Sequence, residues 1–208
     1  GNFVGVHLGH REIVARLISA VRPLGLPSVA LTFDPHPAEL LHPSLARHFL
    51  TTTQRRAELL LSLGLDAVFV LTTTPELLNL SAEEFYSEVL CRCFHSAAIA
   101  EGEDFHFGRN RHGTLSDLKR WADRDSIELT AVSPVRISGT AVSSSRIRCL
   151  LEKGNVTDAN ELLVFPYRVE GQVEQGQRRG KELGFPTANL GSVYTLVPQD
   201  GVYAGVAT

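Results

Sequence analysis

Apolar residues recur at helical spacing over residues 11 to 22, where Ile13, Val14, Leu17, Ile18 and Val21 share one face. Ser28 to Phe33 then reads as a short buried strand. Leu59, Leu60 and Leu63 mark a second helix, which Gly64 closes as a left-handed C-terminal residue would. Asp66 to Leu71 predicts another buried strand. Ser81 and Glu84 have the spacing of a capping box, opening a helix that carries Phe85, Val89 and Leu90. Ser96 to Ala100 predicts a third strand, Leu115 to Asp123 a helix, and Ile127 to Val132 a fourth strand. Strands alternating with helices imply a parallel sheet covered on both faces, a Rossmann-like α/β domain.

The pattern changes near Leu163. Beyond Phe165-Pro166-Tyr167 the helical period stops, and short alternating runs appear between Gly171, Gly176, Gly180 and Gly184. Arg168 to Val173 and Val202 to Val206 are the clearest, and they suit a small antiparallel β-barrel. The expected division is therefore 1–163 and 164–208. The chain has no methionine, opens on a loop motif without the strand such a loop follows, and closes on a strand-like run without a partner. It reads as an internal piece of a longer protein with a truncated barrel.

Composition narrows the function. At 208 residues the chain can bury one core plus a small appendage. Its formal charge of −3 lacks the basic excess of a nucleic-acid binder. No apolar run reaches the ~20 residues that span a bilayer, and no signal peptide is present, so no membrane partner is expected. Three cysteines, Cys91, Cys93 and Cys149, argue against a disulfide framework and for a reducing, cytoplasmic compartment. Cys91 and Cys93 find no second Cys or His pair at metal-site spacing and read as structural. Nothing in the pattern specifies an oligomeric state.

The richest chemistry lies in Gly1-Asn-Phe-Val-Gly-Val-His-Leu-Gly-His10, just before the first helix. Its glycines allow tight turning and close approach to a ligand. His7 and His10, three apart, can point the same way as the helix begins, beside unpaired N–H groups that attract anions. Two imidazoles at an anion site suit charge stabilisation during phosphoryl transfer. A zinc pair would need further ligands, and His36, His42 and His48 sit in a Pro-rich loop without evident geometry. The second segment is Ala141-Val-Ser-Ser-Ser-Arg-Ile-Arg148, where a strand meets a helix. Its hydroxyls can cap the helix or donate to phosphate, and Arg148 adds a charge-assisted contact one turn in.

His-x-Gly-His early and Ser-Ser-x-x-x-Arg late are together the signature of the nucleotidyltransferase superfamily. Thr32-Phe-Asp-Pro-His-Pro37, Gly102-Glu-Asp-Phe-His-Phe-Gly108 and Gly184-Phe-Pro-Thr-Ala-Asn189 follow in order. With them the chain resembles, over its whole length, the bacterial bifunctional riboflavin kinase/FAD synthetases. The resemblance implies a front domain that transfers AMP from ATP to FMN, giving FAD and pyrophosphate. It implies catalytic roles for His7, His10 and Arg148, with His10 facing the developing charge. It places ATP on Gly1, Asn2, Phe3, Gly9, Ser143 and Ser144, and the flavin on Phe33, Asp104 and Phe105. It gives the second module Mg²⁺ and ATP contacts at Thr187 and Asn189, for phosphorylation of riboflavin. The implied partners are thus the small molecules ATP, FMN and riboflavin.

Two departures stand out. Val4 occupies the place of the family's aspartate in Gly-x-Phe-Asp-Gly-Val-His, and Leu163-Val-Phe-Pro-Tyr167 replaces Leu-Gly-Arg-Pro-Tyr. The family's kinase carboxylate lies beyond the equivalent of Thr208, so riboflavin phosphorylation is expected only of a longer form. Two rivals remain: a nucleotidyltransferase for another acceptor, and a flavin- or nucleotide-binding module without catalysis.

Overall fold

Hydroxyl side chains set where the helices begin. Thr52 accepts from the Arg55 N–H at 3.2 Å, Ser81 from Glu84 at 3.2 Å, Thr114 from Asp117 at 3.3 Å and Ser143 from Arg146 at 3.2 Å. Each satisfies a donor that the first helical turn leaves unpaired. The computed structural model describes residues 1–41, 49–176, 184 and 187–208. The elements are α1 (Leu8–Val21), β1 (Val29–Asp34), α2 (Pro37–Leu41), α3 (Thr53–Ser62), β2 (Ala67–Thr72), α4 (Pro75–Asn79), α5 (Ala82–Glu84), β3 (Ala98–Gly102), β4 (His106–Phe107), β5 (Gly113–Thr114), α6 (Leu115–Asp125), β6 (Glu128–Val132), β7 (Arg136–Ile137), β8 (Thr140–Ala141), α7 (Ser144–Glu152), α8 (Val156–Leu162), β9 (Gln172–Glu174) and β10 (Asn189–Gly191).

The four long strands form two parallel pairs. β1 runs beside β2 from Val29↔Ala67 to Asp34↔Thr72, and β3 beside β6 from Ala98↔Glu128 to Gly102↔Val132. Among the described residues no ladder joins β1 to β3. A cavity of about 1250 Å³ lies between them, lined by Val29 and Leu31 of β1, Ala98 and Ala100 of β3, and Ile13 and Leu17 of α1. The continuous, doubly covered sheet expected from the pattern is therefore interrupted. All five residues of β3 remain half-buried, where a parallel strand flanked on both sides is usually buried.

β2 also differs from the buried strand expected. Phe69 and Val70 are 44% and 43% exposed, because β2 has a described neighbour on one side only; Phe69 rests on Phe94 with ring centroids 5.0 Å apart. The helix opened by the Ser81 capping box keeps α geometry for one turn, then widens into π turns over Phe85–Cys93. Within them Tyr86 is fully buried and its hydroxyl donates to the Asp125 carboxylate at 3.0 Å.

Three apolar clusters hold these parts. Phe3, Val6 and Val14 pack with Ala30 and Leu60; Val4 packs with Leu50, Ile147, Leu151 and Leu162; Tyr86 and Phe107 pack with Leu118 and Trp121. Beyond Leu163 the described residues contain one antiparallel pair, β9 with β10, and no closed barrel. The alternation at 202–206 does not become a strand. Val202 and Val206 are exposed, and no described strand lies alongside to take the backbone groups of this run. Among the described residues no helix is long and apolar enough to cross a membrane.

The loop that leads from β4 to β5 has no room for a Cβ at Gly108. Its φ is +71°, and an added Cβ would lie 2.5 Å from the Ala82 backbone nitrogen. Gly139 has a similar φ of +76° but open space around it. Gly108→Ala is therefore expected to cost about 2 kcal/mol or more, and Gly139→Ala about 1 kcal/mol, from the backbone conformation alone. Thermal melts of the two variants beside the parent check this order.

Candidate active site

The loop from Gly1 to His7 is strained and tied down at several points. Phe3, Gly5 and Val6 have φ of 47°, 82° and 35°. Positive φ at a β-branched residue such as Val6 is a true outlier, and such strain gathers at functional sites. Gly5 is required twice over: its φ favours glycine, and a Cβ there would lie 2.7 Å from Leu50 Cδ1. The Gly1 nitrogen donates to the Leu31 carbonyl at 2.9 Å. Thr32 Oγ1 donates to the Asn2 carbonyl at 3.5 Å, and Ser144 Oγ to the Val4 carbonyl at 2.7 Å. The loop is thus clamped between the end of β1 and the first turn of α7.

His7 precedes α1 with extended backbone, and His10 occupies its first turn. Their rings stack at 3.7 Å with an interplanar angle of 16°, and the His7 N–H donates to His10 Nδ1 at 3.2 Å. That bond makes Nδ1 an acceptor and places the His10 proton on Nε2. His7 Nδ1 is buried without a hydrogen-bond partner. Burial lowers the His7 pKa to about 4 against the opposing pull of Asp104; burial, and then the neighbouring His7, hold His10 well below its ordinary value. Both imidazoles are neutral at pH 7 and act as dipolar donors. The first turn of α1 contains no acidic residue, so its positive dipole end is uncompensated.

The remaining predicted residues fall around this loop. Ser143 caps α7, and the Ser144 hydroxyl already serves the Val4 carbonyl, so its proton is committed to the loop rather than to an incoming phosphate. Arg148 is half-buried one turn later on α7, its pKa lowered by burial against the pull of Glu152. A Cβ on Gly9 would lie 3.1 Å from the His7 ring. Gly1, Asn2, Phe3, Phe33 and Phe105 all line the cavity. Asp104 stays exposed beside it, near enough to act on His7. Phe105 stacks on Phe107 at 5.2 Å, which leaves one of its faces for a planar ligand. Phe107, read from the sequence as a loop aromatic, is core: it is 7% exposed and meets Trp121 edge-on.

Thr187 and Asn189 lie exposed on the second module, with Asn189 opposite Glu174 in the β9–β10 pair. A Cβ on Gly176 would meet the Asn189 amide at 2.0 Å, which accounts for a glycine there. Phe185 and Pro186 of that motif lie outside the described residues, as do His42 and His48.

Of two further residues of this region, the sequence reading weighed His36 only as a zinc ligand and within its motif, and it passed over Arg56. His36 lines the cavity, its pKa lowered to about 4 by burial and then by the charges of Arg56 and Arg148. Arg56 is buried behind Thr32. Its place on the apolar face it shares with Leu59, Leu60 and Leu63 was a usable signal, since a charge on such a face calls for a partner.

Residues 1–146 match the family model described as FAD synthetase, and residues 163–208 match riboflavin kinase. The chain belongs to the FAD synthetase family. Bifunctional riboflavin kinase/FMN adenylyltransferases from Listeria monocytogenes, Pseudomonas fluorescens and Escherichia coli K12 are 34%, 36% and 32% identical to it. Each alignment covers 98% of this chain, which spans 65% of each relative's length. A solved structure titled as a macrolide-efflux protein from Streptococcus pneumoniae superposes with a TM-score of 0.86 at 34% identity, over 98% of this chain and 66% of that one.

Within this FAD synthetase family member, Val4 has a structural role. It is 5% exposed and packs with Leu50, Val142, Ile147 and Leu163, while its carbonyl holds Ser144. A carboxylate in that cluster would be buried without an evident partner. Val4→Asp is therefore expected to lower stability by about 2 kcal/mol or more, visible as an earlier urea midpoint.

The neutral histidines make a second prediction. With a folded pKa of about 4 for His7 and an unfolded value near 6.5, the unfolded chain binds the extra proton between these limits. Stability is then full above pH ~6.5 and falls as pH drops toward 4, by about 1.4 kcal/mol per unit from His7 alone. Melting temperature measured from pH 7.5 to 4.5 should decline, and His7→Gln should decline less steeply.

Proposed function

We propose that residues 1–163 transfer AMP from ATP to FMN, giving FAD and pyrophosphate. The observation that carries this reading is the hydrogen bond between Ser144 and the Val4 carbonyl. It joins the two phosphate-binding motifs, far apart in sequence, into one site at the N-termini of α1 and α7. A phosphate oxygen of FMN attacks the α-phosphorus of ATP; the new P–O bond forms as the bond to the β-phosphate oxygen breaks, and pyrophosphate leaves. The FMN phosphate is largely ionised at neutral pH, with a second pKa near ~6, so no general base is needed. Catalysis is then positioning and charge stabilisation. Neutral His10 offers its Nε2–H to the charge that develops, and His7 holds it through stacking and the backbone bond to Nδ1.

In this reading Arg148 adds fixed positive charge, while Gly1, Asn2, Phe3, Gly9, Ser143 and Ser144 shape the ATP site. Phe33, Asp104 and Phe105 receive the flavin, whose ring finds apolar and aromatic walls in the cavity. Residues 164–208 form part of a riboflavin kinase barrel. The hydroxyl of Thr187 and the amide oxygen of Asn189 are hard donors that fit Mg²⁺. When bound, that ion would neutralise phosphate charge. A cytoplasmic setting follows from the substrates and the cysteine content.

A chromatographic assay of the chain with FMN, ATP and Mg²⁺ tests the reading. FAD and pyrophosphate should form, and His10→Ala should lower the rate about 10²- to 10³-fold, as loss of one charge-stabilising donor does. Tight binding of both substrates without FAD would overturn it.

A further inference from the structure

Arg56 of α3 is 2% exposed. Its Nη1 donates to Thr32 Oγ1 at 2.8 Å and to the Phe33 carbonyl at 3.4 Å. Thr32 Oγ1 in turn donates to the Asn2 carbonyl, so the guanidinium, the end of β1 and the glycine loop form one hydrogen-bonded chain. Nε is buried and finds no acceptor. Among the described residues no carboxylate pairs with the guanidinium; Asp34 and Glu39 act on it only at longer range. A buried cation with an unused donor and no close counter-ion lowers stability unless an anion bound nearby offsets its charge.

The surroundings indicate where that anion sits. The charge of Arg56 reaches both His10 and His36, and that of Arg148 reaches His36 from the α7 side. His7, His10 and His36 are all held toward neutrality, so among the described side chains the fixed positive charge acting on these histidines comes from the two arginines. A bound polyphosphate needs such charge, because neutral imidazoles offer only dipoles.

We propose that Arg56 is the second arginine of the phosphate site: it neutralises the oligophosphate held over the first turn of α1 and, through Thr32, fixes the glycine loop beneath it. This rests on reading the loop as a nucleotidyl-transfer site. Arg56 acts on the loop as a positioning residue, and its charge works at short range from behind β1.

The test compares the parent chain with Arg56→Gln, which keeps a planar donor for Thr32 but loses the charge, and Arg56→Lys, which keeps the charge. Pyrophosphate and ATP binding are measured by calorimetry at low and high salt, beside melting temperatures without ligand. The Gln variant should melt at or above the parent temperature yet bind pyrophosphate about tenfold or more weakly, with less salt dependence; the Lys variant should stay within about threefold. A Gln variant that melts well below the parent but keeps parental affinity would show a purely structural arginine and overturn the proposal. A parent that binds no pyrophosphate overturns it as well. If the Gln variant does not fold, the Lys variant decides: retained affinity and salt dependence support the charge, and their loss refutes it. Pyrophosphate binding does not involve FMN. A parent that binds pyrophosphate but makes no FAD therefore refutes the acceptor reading and leaves the role of Arg56 standing.

Discussion

The site depends on one clamp, the passage of Gly1 to His7 between two strand pairs that share no hydrogen bonds among the described residues. In a continuous parallel sheet the ladder itself would align the strand ends. Here α1 packs against β3 and β6, while Phe3, Val6 and Val14 reach across to Ala30 and Leu60. The loop is thus both a lining of the cavity and a mechanical link. That dual duty explains why its geometry is strained at Phe3 and Val6 and why its carbonyls are taken by Thr32 and Ser144. Burial offsets the strain, since Phe3, Val4 and Val6 are all below a tenth exposed.

Electrostatically the clamp divides labour between dipoles and charges. Burial keeps His7 and His10 from taking up a second ring proton at neutral pH, so they contribute N–H groups without like-charge repulsion. The charge comes from side chains that cannot deprotonate, Arg148 on α7 and Arg56 on α3, both of which act on His36. Such a site keeps its field when pH changes around neutrality. It loses stability in acid, where the unfolded chain gains protons that the folded one refuses.

Much of this was legible in the sequence, and the reason is local. The four strands and the helices between them stand within a few residues of their predicted places, because apolar runs bounded by turn residues report which segment is buried. His7 and His10 were placed together because the first turn of a helix fixes residues three apart. What failed was non-local. Periodicity reports an apolar face but not which strand lies next to it, so the exposed side of β2 was invisible. The motif position of Val4 was visible in the sequence, but the apolar cluster that it joins was not. The core place of Phe107 could not be read locally, because that core is assembled from Tyr86 and Trp121, remote in sequence. Val202 to Val206 had the right alternation, but alternation makes a strand only where a neighbour supplies the other half of each bond.

The same two helices that carry the arginines also support the second module. Thr52, the cap of α3, donates to the Glu170 carboxylate at 3.0 Å, and the Phe49 carbonyl accepts from the Leu196 N–H at 2.8 Å. On the other side the Gln199 N–H donates to the Leu151 carbonyl of α7 at 3.0 Å, and Tyr167, hydrogen-bonded to the Leu196 carbonyl, packs against the Leu151 cluster. α7 is therefore held at its N-terminal end by the glycine loop and at its C-terminal end by Gln199, whereas α3 meets both the loop and Glu170 at its N-terminal end. A rigid helix transmits displacement along its axis with little loss. The position of Arg148 is consequently set by both attachments together, and described residues beyond 164 contribute to the mechanical support of the loop.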